Sequence, residues 1–122
     1  MNPEKARRRG AYRSGHAAEL LAALRLMMAG YRIVARRYRT RMGEIDLIAR
    51  RGNVIAFVEV KKRADYAAGA EAVTQFSRQR IRRAAELFLR RNPSLAGFAL
   101  RFDIVVITPL AWPRHIVDAW RD

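Results

Sequence analysis

Apolar positions along the chain switch between helical and strand-like spacing, and the switches define its elements. From residue 14 to 29, Ala17, Leu20, Leu21, Leu24 and Met28 recur at helical spacing. Ser14 suits the N-cap and Gly30 a C′ stop. Residues 31–39 alternate, with Tyr31, Ile33, Ala35 and Arg37 on one side and the basic Arg32, Val34, Arg36 and Tyr38 on the other. Thr40 to Gly43 reads as a turn, and 44–50 and 54–62 as two strands. Residues 64–71 read as a Gly/Ala-rich loop. A second helix is predicted from about Thr74 to Arg91, with Phe76, Ile81, Ala84, Ala85, Phe88 and Leu89 as its apolar stripe and Asn92-Pro93 as its stop. Residues 98–108 alternate strongly, and His115 to Trp120 makes a short last element behind Pro109 and Pro113. Helix, three strands, helix, strand and short strand predict an α/β sandwich around one mixed sheet. Residues 1–13 lack a periodic apolar face and read as a flexible basic arm, leaving 14–122 as a single domain.

The two strands of 44–62 carry the candidate chemistry. Gly52-Asn53 between strand-like runs signals a two-residue hairpin turn. Residues whose numbers sum to 105 then lie opposite each other, so Asp46 faces Glu59 and Glu44 faces Lys61. One side carries Glu44, Asp46, Ile48, Phe57, Glu59 and Lys61; the other carries Ile45, Leu47, Ala49, Ala56, Val58 and Val60. The second set explains itself as core. In the first, two like charges face each other beside Ile and Phe, which is destabilising unless they share a proton or bind a cation. Oxygen ligands with open positions suit Mg²⁺ or Mn²⁺. Asp46, Glu59 and the Val60 backbone carbonyl would be the donors, with Lys61 on the same side two residues from Glu59. The plainer alternative for Glu59 and Lys61 is a same-face salt bridge on an edge strand. Glu19 either suits the dipole of the first helix or leans over the sheet as a further acid.

Composition narrows the partners. The net charge is +14, from 22 Arg and 3 Lys against 11 acids. Such a balance attracts a polyanion, with nucleic acid ahead of an anionic membrane surface or an acidic protein. There is no cysteine, which removes disulfides and thiolate metal sites and is compatible with a cytoplasmic setting. No apolar run is long enough to cross a membrane, and Glu19 and Arg25 argue against a signal peptide. His16 and His115 show no metal-ligand spacing and read as surface residues. Trp112, Trp120 and Phe88 read as packing residues.

Gly43-Glu44-Ile45-Asp46-Leu47-Ile48-Ala49 followed by Phe57-Val58-Glu59-Val60-Lys61-x-Arg63 resembles the YraN-like family of small bacterial proteins. Ala18-Glu19-x-x-Ala22, Gly30-Tyr31-Arg32-Ile33, Glu71-Ala72-Val73-Thr74, Arg101-Phe102-Asp103 and His115-Ile116-x-x-Ala119-Trp120 extend the resemblance over roughly 14–120. That family is similar to the PD-(D/E)xK nuclease superfamily. The resemblance implies a restriction-endonuclease-like α-β-β-β-α-β-β core related to Holliday junction resolvases. It also implies Asp46 as the strand acid, Glu59 and Lys61 as the E-x-K pair and Glu19 as the helix acid, together a catalytic set. Ser77 stands where family members usually show Lys or Gln.

The expectation is therefore a Mg²⁺- or Mn²⁺-dependent endonuclease-like protein acting on DNA, structured or branched DNA in particular. Arg36, Arg37, Arg39, Arg41, Lys62, Arg63, Arg78 and Arg82 are the expected backbone contacts. The rival is a nucleic-acid-binding module that keeps the fold without turnover. An exposed edge strand would permit a homodimer.

Overall fold

Five strands line up in chain order, β1-β2-β3-β4-β5, in one sheet. The computed structural model describes residues 3–70 and 73–121, with side chains for 16–69 and 73–121. The strands are β1 (Arg32–Arg39), β2 (Glu44–Arg51), β3 (Val54–Lys62), β4 (Ala99–Ile107) and β5 (Arg114–Trp120). Neighbours are antiparallel except β3 and β4, which run parallel. A parallel pair needs a crossover, and here it contains α2 (Tyr66–Ala70), α3 (Gln75–Arg91) and a 3₁₀ turn at Pro93–Leu95. The remaining helix, α1 (Pro3–Met28), packs on the opposite face. The α-β-β-β-α-β-β order around a mixed sheet is the one the sequence predicts.

Each sheet face has its own core. Under α3 lie Ile48, Ile55, Phe57, Ile104, Val106 and Trp120, packed on Ile81, Ala84, Ala85 and Phe88. Under α1 lie Leu47, Ala49, Ala56, Val58, Val105 and Ile107, packed on Ala18, Ala22, Ala23 and Leu26. β3 is thus a central strand covered on both sides, which matches its nearly continuous apolar run.

Several local expectations hold. α1 ends in a Schellman arrangement, with Tyr31 N–H donating to Leu26 O and Gly30 N–H to Met27 O, and Gly30 at φ 91°. Thr74 caps α3 by accepting from Ser77 N–H at 3.2 Å, and Asn92 closes it. The β2–β3 register runs from Arg51↔Val54 to Leu47↔Val58, every pair summing to 105.

Others are corrected. α1 begins at Pro3, so the stretch expected as a loose arm has helical backbone from there; Met1 and Asn2 lie outside the described residues. The α1 face on the sheet is Ala18, Ala22, Ala23 and Leu26, whereas Leu20 and Leu24 are 44% and Met28 69% exposed. Small alanines let the helix lie close to the strands, and the larger side chains turn outward. Residues 66–70 of the expected loop form α2, whose first turn is held by Asp65 Oδ1 accepting from Ala68 N–H at 2.8 Å. Glu71 and Ala72 lie outside the described residues. Ile45 does not share a face with Leu47: it packs under α3, Leu47 under α1. The break falls at Asp46 and at Arg37, which stands between the paired positions Arg36↔Leu47 and Tyr38↔Ile45 with φ 51°.

Candidate active site

The β2–β3 ladder stops at Leu47↔Val58, and the acids sit just past its end. Main-chain groups left there need other partners. Asp46 supplies one, its Oδ2 accepting from Val60 N–H at 2.8 Å. The N–H and C=O of an extended residue point to the same edge of a strand, so the Val60 carbonyl faces the same gap. The Asp46 and Glu59 carboxyl groups lie close enough for each to act on the ionisation of the other. Lys61 Nζ stands 3.4 Å from Glu59 Oε1, and both side chains are mostly buried. The sequence-predicted trio of Asp46, Glu59 and Lys61 is therefore brought together. The Glu59–Lys61 salt bridge weighed above is present, on a stretch of β3 that has passed the end of its β2 ladder and pairs with β4.

Gly43 fixes where β2 enters this region. A Cβ there would lie 2.8 Å from Arg80 O, so only glycine lets the 40–43 turn meet α3. Thr40 Oγ1 ties the same turn by accepting from Met42 and Gly43 N–H, each at 3.0 Å. A recess of about 270 Å³ opens between β2, β3 and the first turns of α3, lined by Glu44, Glu59, Phe76, Ser77, Arg80 and Ile81. Glu44, expected opposite Lys61, pairs instead with Arg39 of β1, Nε to Oε1 at 3.5 Å, because the ladder to β3 has ended. The Ser77 hydroxyl is engaged by Thr74 Oγ1 at 3.1 Å.

The electrostatics follow from burial and like charge. Burial pushes the Glu59 carboxyl up to about 8; the Asp46 charge pushes the same way and Lys61 opposes. Burial also raises Asp46, against hydrogen bonds from Glu59 and Val60 N–H, and the charges of Glu19 and Glu44 add to the rise. Two such groups titrate as a unit, with one proton held between them near neutrality. A cation can replace that proton.

Glu19 belongs to this neighbourhood, since its charge reaches Asp46. Its side chain, however, is turned to Arg37, with Nε to Oε2 at 2.6 Å. Among the described residues no three His, Cys, Asp or Glu side chains converge on one point. Two carboxylates and a backbone carbonyl still fit Mg²⁺ or Mn²⁺, which keep several waters and use one or two protein carboxylates beside substrate phosphates.

The expected phosphate contacts fall in separate places. Arg36 lines a recess of about 220 Å³ with His16, Glu19, Leu20 and Arg37. Arg39 and Arg41 are exposed at the end of β1 and in the turn after it. Lys62 and Arg63 line another surface with Ile107 and Pro109. Arg78 and Arg82 lie away from the carboxylates: Arg78 is over Trp120 at 5.7 Å, and Arg82 borders a cavity with Arg101 and Trp120.

One polar cluster was missed by sequence reasoning. Asp103 is fully buried on β4. It accepts from Arg101 Nε and Nη2, both at 2.8 Å, from His115 Nε2 at 2.7 Å and from Asp118 N–H at 2.9 Å. Arg101 also bonds the Tyr31 hydroxyl. Burial alone would raise Asp103, yet these hydrogen bonds hold it below the usual carboxylate range. The side chain of His115, read above as a surface residue, is 5% exposed here. The available signal was an acid at an inward position of an otherwise apolar strand.

A mixed sheet covered on both faces, with an acid on one strand and an E-x-K pair on the next, defines a PD-(D/E)xK-like α/β protein. The description "Uncharacterised protein family UPF0102" matches residues 18–107. The chain belongs to that family, the YraN-like proteins. A UPF0102 protein of Agrobacterium fabrum is 54% identical over 114 residues, covering 93% of each chain. One of Brucella canis is 52% identical over 116 residues, covering 95% of this chain and 92% of the relative. One of Rhizobium meliloti is 53% identical over 110 residues, covering 90% of each. No helix among the described residues is long and apolar enough to cross a membrane.

Proposed function

We propose that this protein is a metal-dependent nuclease of nucleic-acid phosphodiesters, DNA in the first place. The observation that supports it most is the neighbouring Asp46 and Glu59 carboxyls beside Lys61, at the open end of two strands in a chain of net charge +14. Facing buried acids are relieved by a shared proton or by a bound cation. Asp46, Glu59 and the Val60 carbonyl would hold Mg²⁺ or Mn²⁺. The ion, when bound, supplies charge neutralisation and a more acidic water. Asp46 and Glu59 would serve as carboxylate ligands, with any proton held between them released to solvent. Lys61 holds its ammonium beside Glu59, where it orients the attacking water and offsets charge developing on the phosphoryl group. The arginines bind the phosphate backbone without reading bases.

A second reading is supported by the Arg37–Glu19 pair, which occupies the helix acid. In that reading the protein binds nucleic acid and does not turn over. Calorimetric titration of Mn²⁺ separates the two: heat with the natural chain and none with Asp46→Asn under the nuclease reading, and no heat from either under the second. Cleavage of duplex, flap and four-way-junction DNA should disappear in Glu59→Gln and Lys61→Ala. Unchanged cleavage in both variants would refute the assignment of this site.

A further inference from the structure

We infer that Phe76 is a stacking platform for an unpaired nucleobase on the strand whose phosphate enters the recess beside Glu59. The inference deepens the nuclease reading and rests on nucleic acid being the ligand. Phe76 is counted with the α3 core stripe by its spacing, yet it is 68% exposed. At 100° per residue it stands roughly 130° round the helix from the middle of the buried set Ile81, Ala84, Ala85 and Phe88. It therefore contributes nothing to the core, and leaving such a ring in water forgoes the gain of burying it.

Its position is specific. Phe76 lines the same recess as Glu59, Glu44 and Ser77, on the first turns of α3. Helical side chains lean toward the N-terminus, which carries the ring out over the mouth of the recess. The Arg80 guanidinium lies 5.6 Å from the ring centroid, one turn along the helix. That contact steadies the ring and sets a cation beside it. The 40–43 turn packs on Arg80 through Gly43. An aromatic face, a guanidinium for the adjoining phosphate and the Glu59 carboxyl thus share one opening. This combination suits single-stranded nucleic acid, where bases stack on aromatic side chains and cations track the backbone. Bases inside a duplex have both faces covered and cannot use Phe76. The class of substrate is therefore a strand with unpaired bases: a flap, a gap or the arms of a junction.

The test is fluorescence anisotropy without divalent metal, comparing a labelled flap with a blunt duplex of equal length. The probes bind to the natural chain, Phe76→Ala and Phe76→Trp, each checked by thermal melting. The natural chain should prefer the flap, Phe76→Ala should bind it roughly tenfold or more weakly with duplex affinity unchanged, and Phe76→Trp should restore it. A 2-aminopurine in the first unpaired position should be quenched by the natural chain and by Phe76→Trp, and not by Phe76→Ala. Equal flap binding and equal quenching by the natural chain and Phe76→Ala would overturn the inference while leaving the nuclease reading intact. Failure of the natural chain to bind either probe would overturn both.

Discussion

Asp103 and Glu59 sit on adjacent central strands, one residue out of register with each other, and keep opposite company. Asp103 is ringed by donors: both arms of Arg101, the His115 ring and a main-chain N–H. Glu59 meets another carboxylate and a single ammonium. The first carboxyl is held low, the second pushed high. One arrangement completes itself with groups of the chain. The other is incomplete until something positive arrives. Burial is common to both, so burial alone does not mark a site; the sign of the neighbours does.

Three experiments press on that contrast. Asp103→Ala should have the largest effect, about 3–5 kcal/mol of lost stability in urea unfolding, because Arg101 would be left without its buried partner. Since the Asp103 carboxyl is held low, its contribution is full above the unfolded value of 3.8 and fades only as pH falls below it. Glu59→Gln should act in the opposite sense. Glu59 is raised from 4.5 to about 8, so the natural chain loses stability as pH climbs between those values. The variant should be more stable by about 2 kcal/mol at pH 9 and show little gain at pH 4. Mn²⁺ should raise the melting temperature of the natural chain and leave Glu59→Gln unmoved. A gain at pH 9 no larger than at pH 4 would mean the facing acids are not strained. The smallest effect is expected from Arg37→Met, which frees Glu19. Mn²⁺ affinity should rise several-fold by calorimetry, about 1 kcal/mol at the effective dielectric of a partly buried pair. The double variant with Glu19→Gln should cancel the rise.

The contrast also marks what the chain discloses before folding. The Asp46–Glu59 pair was readable because Gly52-Asn53 fixes the hairpin, and a two-residue turn leaves the register no freedom. The order of elements was readable for the same reason: helix and strand periods separate cleanly. The Asp103 cluster was not, since Tyr31 joins it through Arg101 from 70 residues away and His115 reaches it only once β5 folds back beside β4. Nor was the buried side of α1, where alanine and leucine faces carry similar apolar patterns and only contact with the sheet chooses between them. Ile45 changed sides because alternation fails at Arg37 and Asp46, and a left-handed residue has no signature when it is an arginine.

That left-handed arginine has a consequence for how copies of this chain can meet. β1 is a rim of the sheet, and it is kinked at Arg37, shifted in register between Ile33 and Ala35, and studded with Arg32, Arg36 and Arg39. The opposite rim, β5, is likewise bent by Asp118 at φ 53° and entered through Pro113. Neither border offers the straight, neutral ribbon that another strand could zip onto. Kinks and charges on both rims blunt them as templates for edge-to-edge strand pairing.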